Sequence, residues 1–354
     1  MAKVLSQDYH EQVKLQNIQK LRELEAKLPG FCTTFFRGIS VRSGSRTCIA
    51  YAYDLIVFFT YVTNYILTDP DLPINKLGLD VLDKITRMDL ENYIDYLSLY
   101  TSDDGVTHSN DEHGKARKLS AVRGVYNYFY EAELIKTNPA SIVHSPKIHE
   151  KNIIRLDPGE VAKLLDIVEG GSDQESRHQG NYHRITRVRD MAMLTLLLGT
   201  GIRVSECVGL NMSDVDFDNC SIRVVRKGGN EAVVYFGNEV EDALRDYLEQ
   251  RKEIIPLSGH EKALFLSMQN RRISVRAVEN LVKKYASQVT TLKKITPHKL
   301  RSTYGTNLYK ESGDIYLVAS VLGHKDVNTT KRHYADMNEE AKRAARNMVK
   351  LRKE

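Results

Sequence analysis

Cysteine is scarce in this chain. There are four, Cys32, Cys48, Cys207 and Cys220, far apart and without a CxxC pair. That pattern offers neither a disulfide framework nor zinc-ligand spacing, and it suits a reducing cytoplasm. The opening MAKVLSQDYHEQ lacks the apolar core of a signal peptide, so export is not expected. An uninterrupted membrane span is missing too. The most apolar run, residues 48–67, is broken by Asp54, Asn64 and several hydroxyls, and it is expected to form a buried, aromatic-rich core helix. No repeat of solenoid length and no low-complexity tract occurs. Nor do the acids cluster as a two-metal nuclease would require, so no metal and no cofactor is expected.

What is present fits an ordinary folded protein. The 354 residues suffice for two domains, and 42% hydrophobic with 27% charged residues leaves no need for a fibrous or disordered reading. A net charge of +5 attracts polyanions only weakly, so where the charge sits matters more than its sum. The segment 341–354, AKRAARNMVKLRKE, holds six basic side chains and one acid.

Along the chain, a polar helical extension occupies 1–35. Apolar spacings of three and four predict four or five helices between about 40 and 140, with a polar loop at 101–118. Proline-rich, aperiodic sequence from 137 to 158 carries the interdomain linker, placed at 146–156. A helix is expected at 158–168, then a polar insertion over 170–186. A buried helix at 187–198 is closed by the glycines of GTG. Ile222, Val224 and Val225 lead into KGGN, and Val233 to Phe236 lead out, the mark of a β-hairpin with a glycine turn. Helices return from 239. The fold class is mainly α with a small antiparallel β-sheet (α+β).

Several segments carry groups able to act on a phosphate. In TPHKLRSTYG, Thr296 suits an N-cap and Pro297 the first helical position, placing His298 and Arg301 one turn apart on one face. A helix start with an imidazole and a guanidinium is a natural oxyanion site, although a capped helix with a surface arginine is common. In GTGIRVSECVGL, Glu206 lies three residues after Arg203 and can hold its guanidinium, or the two form an ordinary surface ion pair. Lys227 sits at the hairpin tip, where lysine is unremarkable. His324 follows the helix stop Gly323, and Tyr334 comes ten residues later among Lys331, Arg332 and His333.

Each feature is weak alone; together they describe phosphodiester attack. Arg203, Arg301 and His298 would neutralise charge on the nonbridging oxygens. A tyrosine phenol, with an ordinary pKa of about 10, is neutral near pH 7 and must lose a proton as it attacks, which nearby cations and an imidazole assist. Lys227 is suited to protonate the departing 5′-oxygen. Arginines would serve where other enzymes use a divalent ion. A covalent phosphotyrosine keeps the bond energy, so rejoining needs no ATP.

These residues resemble the tyrosine recombinase (phage integrase) family, whose signature is Arg, Lys, His-x-x-Arg, His or Trp, and Tyr. The matches are Arg203, Lys227, His298 with Arg301, His324 and Tyr334, with Glu206 as the supporting acid. The resemblance extends over nearly the whole chain. The N-terminal extension, RKGGN and VENLVKKYAS look most like the single-protein Xer branch. It implies a helical SAM-like core-binding domain at 36–145, a catalytic domain at 157–337 and a basic helix at 338–354 for docking on a neighbouring protomer. It also implies a C-shaped clamp on double-stranded DNA, a homotetramer on two recombination sites, room for an accessory protein, no membrane partner and a nucleoid location. Implied roles are chromosome dimer resolution or integration and excision of a mobile element. A catalytically silent DNA-binding protein and a type IB topoisomerase are the alternatives. Basic residues in GKARKLSAVR and NRRISVR (Lys115, Arg117, Lys118, Arg123, Arg271, Arg272), with Lys299, are DNA-contact candidates or simply solubilising. Two departures stand out. The family commonly leaves nine residues between the LGH histidine and the tyrosine, which would fall on His333, and Asn230 and Glu231 stand where relatives often carry basic residues.

Overall fold

The computed structural model describes residues 9–102, 105–148, 154–171, 177–226, 228–323 and 326–327. The chain divides into two compact units, Met1–Lys151 and Asn152–Glu354.

The first unit is helical. It holds α1 (Tyr9–Glu25), α2 (Phe31–Ile39), α3 (Ser45–Tyr61) running into a π turn at Val62–Ile66, the short α4 (Val81–Lys84), α5 (Arg87–Tyr96) and α6 (Glu112–Glu131). The apolar run at 48–67 is the core helix expected of it. Cys48, Ala52, Leu55, Phe58 and Phe59 of α3 are all buried among Phe35, Phe36, Tyr93, Val125 and Phe129. Burying such side chains stabilises by about 1.5–3 kcal/mol each, so α3 organises the unit. Leu24 and Leu28 join the same core. Residues 9–35 are therefore part of this unit, and the expected boundary at 35 falls inside α2. The polar loop at 101–118 also differs from expectation. It contains the hairpin β1 (Leu99–Thr101) and β2 (Thr107–Ser109) and the first two turns of α6, which Asp111 caps by accepting from Gly114 N at 3.0 Å.

The second unit begins with α7 (Pro158–Gly170), whose first turn is closed by Asp157 N donating to Glu160 Oε2 at 2.7 Å. Already before it, Leu156 is buried and its N–H donates to Thr303 Oγ1 at 3.0 Å, so the end of the expected linker is docked. Next come α8 (Arg177–Thr200) and α9 (Val204–Gly209). The insertion at 170–186 is thus half helix. Its later residues begin α8, held by His183 against the Val168 carbonyl at 2.9 Å. Then follow β3 (Val215–Asp216), β4 (Ser221–Val225) and β5 (Glu231–Tyr235), all antiparallel in the order β3-β4-β5. Among the described residues there follow α10 (Asn238–Lys252), α11 (Val275–Val289), α12 (Pro297–Ser312) and α13 (Ile315–Leu322).

Central to this unit is α8, buried through Ala192, Met193, Leu194, Leu196 and Leu197 and packed on α7, α10 and α12. It ends at Gly201, whose φ of 63° is the left-handed turn that glycine adopts freely. Among the described residues no helix is long and apolar enough to cross a membrane.

Candidate active site

The turn after α8 delivers Arg203 as the N-cap of α9. Its backbone N–H donates to Glu206 Oε2 and its Nη1 to Glu206 Oε1, both at 2.8 Å. Glu206 is buried whereas the arginine side chain is 36% exposed. A buried carboxylate holding a half-exposed guanidinium fixes its direction while leaving donors for another anion. This is the holding role expected of Glu206.

Arg301 lies one turn into α12, which starts at Pro297 after Thr296 as the sequence implied. It is buried, unlike an ordinary surface arginine. Its Nη1 donates to the Gly201 carbonyl at 2.6 Å, and its Nη2 donates to the Leu322 carbonyl at the end of α13. One side chain therefore ties the Arg203 turn to the helix end that precedes His324. Both of these acceptors are backbone carbonyls. His298 is exposed on the first turn of the same helix, three residues before the buried Arg301.

The hairpin joins the same place. Strands β4 and β5 pair in register from Ser221↔Tyr235 to Val225↔Glu231, and Arg226 N donates to Asn230 O at 2.8 Å to close the turn. Gly228 and Gly229 both take positive φ, 94° and 84°, the glycine turn read from KGGN. Arg226 then donates through Nη2 to the Val321 carbonyl at 3.0 Å. At the end of α13, Gly323 has φ 64°, and a Cβ there would fall on the Arg226 guanidinium. A Cβ at Gly201 would likewise collide with the Tyr304 ring. Both glycines are needed for close approach as well as for backbone conformation.

Two side chains near this centre are unsuited to chemistry. Burial pushes the Cys207 thiol up to about 12, which keeps it protonated. Burial also raises the Tyr304 phenol above its usual value. Among the described residues no group of acids, histidines or cysteines could hold a metal ion. A cavity of about 670 Å³ lined by Tyr182, Met268, Arg271, Asn280 and Lys284 shares no residue with the arginine centre.

The structure therefore unites Arg203, Glu206 and Arg301 with the segments leading to Lys227 and His324. Lys227, His324 and Tyr334 themselves, and the helix expected at 338–354, lie outside the described residues. Sequence reasoning passed over Arg226 and the carbonyls of Val321 and Leu322, and it read Gly201 only as a helix stop. The adjacency of Arg226 to Lys227 in RKGGN was the available signal.

The DNA-contact candidates separate. In α6, Lys118 is buried with Nζ 3.3 Å from Asp54 Oδ1, and Arg117 Nη1 donates to Asp54 Oδ2. Arg123 directs its guanidinium to the Ala140 and Val143 carbonyls and to Ser145 Oγ. Arg272 donates to the carbonyls of Val208 and Leu210 and to Asn211 Oδ1. A buried acid and loop carbonyls compete for these four, so they hold the fold; only Arg117, with a 49% exposed side chain, also faces water appreciably. Arg271 is exposed, and Lys115 and Lys299 are half-buried.

With this geometry in hand, the phage integrase family model matches residues 155–341. The chain belongs to that family. Tyrosine recombinase XerC of Caldanaerobacter subterraneus subsp. tengcongensis is 35% identical over 305 residues, covering 84% of this chain and 79% of that protein. Tyrosine recombinase XerS of Streptococcus thermophilus is 27% identical and aligns with 94% of this chain and 98% of its own length. A crystal structure of the XerH site-specific recombinase, bound to palindromic difH substrate in a post-cleavage complex, has a TM-score of 0.64 at 18% identity. It covers 86% of this chain and 80% of that one, a likeness of fold. This integrase-family protein is a site-specific DNA recombinase of the Xer kind, as the signature residues implied.

Proposed function

We propose that this recombinase cuts one DNA strand at a time with Tyr334. The phenolic oxygen attacks the scissile phosphorus, the bond to the 5′-oxygen breaks, and a 3′-phosphotyrosine forms. Arg203, Arg301 and His298 stabilise the charge on the nonbridging oxygens. Lys227 gives the 5′-oxygen its proton, and His324 accompanies the phenol as it loses its own. Attack by a 5′-hydroxyl from the second site reverses each step and joins the exchanged strands. The observation that supports this reading is the Arg301 fork, which bonds the Gly201 and Leu322 carbonyls and so ties α12 to the turn before Arg203 and to the helix end before His324.

Double-stranded DNA is the substrate, and four protomers on two sites are the working assembly, with the basic helix at 338–354 docking between neighbours. The first unit serves as the core-binding domain. Lys115 in the first unit and Arg271 and Lys299 in the second are the remaining candidates for contact with the DNA backbone. Chromosome dimer resolution is the favoured role, supported by the match to XerS over 94% of this chain and 98% of that protein.

Incubation with a nicked duplex bearing the cognate site should trap a covalent protein–DNA adduct that disappears in Tyr334→Phe. An adduct surviving in that variant would reject Tyr334, and binding without any adduct would favour a silent DNA-binding protein. Relaxation of plasmids lacking the site would point instead to topoisomerase behaviour. Integration or excision of an element would be favoured by a cognate site found only at element ends.

A further inference from the structure

We propose that Arg226 is a positioning residue that links the Lys227 turn to the His324 turn, so that leaving-group protonation depends on a residue outside the signature. The inference rests on the proposed role of Lys227 as proton donor.

Three observations carry it. Arg226 immediately precedes Lys227, and its backbone closes the hairpin turn with Asn230. Its Nη2 donates to the Val321 carbonyl across 95 residues of sequence, at 3.0 Å. Its guanidinium also occupies the space left by the missing Cβ of Gly323, the residue before His324. A helix end collects partial negative charge on its last carbonyls, which favours cations there. At α13 two arginines share that end, Arg301 on Leu322 O and Arg226 on Val321 O. The first belongs to the phosphate centre and the second to the hairpin.

The fit is positional rather than one of complete hydrogen bonding. Arg226 Nε is buried without an acceptor among the described residues. A β-hairpin of two five-residue strands ending in two positive-φ glycines has little of its own to hold its tip in place. The contact with α13 supplies that hold, and shortening the side chain would release the tip.

Leaving-group chemistry gives a test that general damage to the site does not mimic. A 5′-bridging sulfur departs as a thiolate and needs no proton, whereas a 5′-bridging oxygen does. Single-turnover adduct formation is measured on two nicked cognate duplexes that differ only in this atom, with wild type, Arg226→Ala, Arg226→Lys and Lys227→Ala. Arg226→Ala is expected to slow the oxygen substrate by about tenfold to a hundredfold, below the full loss of about 10² to 10⁴ that removing a general acid brings. It should leave the sulfur substrate near the wild-type rate. Arg226→Lys, which keeps a donor for Val321 O, should recover part of the loss. Equal slowing of both substrates by Arg226→Ala, or no slowing of either, overturns the inference. If sulfur rescues Lys227→Ala but not Arg226→Ala, the Lys227 assignment stands and only Arg226 is misplaced. If sulfur rescues neither, the donor assignment fails and the inference goes with it.

Discussion

Two groups of basic side chains, one in each unit, meet different acceptors. In the first, Lys118 and Arg117 converge on one buried carboxylate, Asp54, the lysine from within the core and the arginine from a half-exposed position. In the second, Arg301 and Arg226 reach the neutral carbonyls of Gly201, Leu322 and Val321, and Arg203 shares its acid from a half-exposed position. The first group serves the fold of its unit; the second joins the backbone segments that carry the candidate site residues. A count of lysines and arginines cannot make that distinction; the segments that each side chain ties together do.

Removing the neutralising acid should have the largest effect. Asp54→Ala leaves a buried ammonium unpaired, which typically costs about 3–5 kcal/mol. A clear fall in denaturant midpoint is expected, while Asp54→Leu combined with Lys118→Leu should recover most of it. If the single variant is as stable as wild type, the inward use of charge in this unit is wrong.

Arg301→Ala tests the other half of the contrast. Losing one oxyanion donor generally lowers rate by about 10² to 10³, measured as single-turnover adduct formation. Arg301→Lys keeps the charge but cannot reach two carbonyls at once, so it should fall well short of restoring activity. Full activity in the lysine variant would mean that charge alone matters.

A smaller effect is expected in DNA binding. Arg271→Ala should reduce the slope of log affinity against log salt by about one, the signature of one lost phosphate contact. Arg123→Gln should leave that slope unchanged, since its guanidinium is taken by Ala140, Val143 and Ser145. Reversed results would exchange their roles.

The smallest signal is in pH. Burial raises the Asp54 carboxyl pKa, against the opposing pull of Lys118 and Arg117. The folded state then binds this proton more readily than the unfolded chain, so this group's contribution grows as pH falls through the raised value and fades above it. Stability of wild type relative to Asp54→Asn should therefore rise on acidification. A difference that falls instead would mean the cations outweigh burial.

Much of this architecture could be read from residue patterns because its causes are local. The apolar run of α3, the glycine turn of β4–β5 and the Thr296-Pro297 helix start each depend on neighbours in sequence. The misjudged parts depend on distant ones. Asp54 lies 63 residues from Arg117, so nothing near GKARKLSAVR betrayed that its cations were already engaged. The polar stretch at 170–186 lacked apolar periodicity, yet it includes the start of α8, where His183 finds the Val168 carbonyl. The hairpin β1–β2 escaped notice because its strands are three residues long and mostly exposed. In the candidate site, the signature supplied Arg203, Glu206, His298 and Arg301. Arg226 was missed because its acceptor is 95 residues away.

The reach of the Arg301 fork also bears on how the protein is made. Its two acceptors lie 100 residues earlier and 21 residues later in the chain. A polypeptide still emerging from the ribosome, or broken before α12, carries Arg203 and Lys227 without the guanidinium that joins their surroundings. The turn before α9 and the end of α13 are thus joined only once both α12 and α13 have been made.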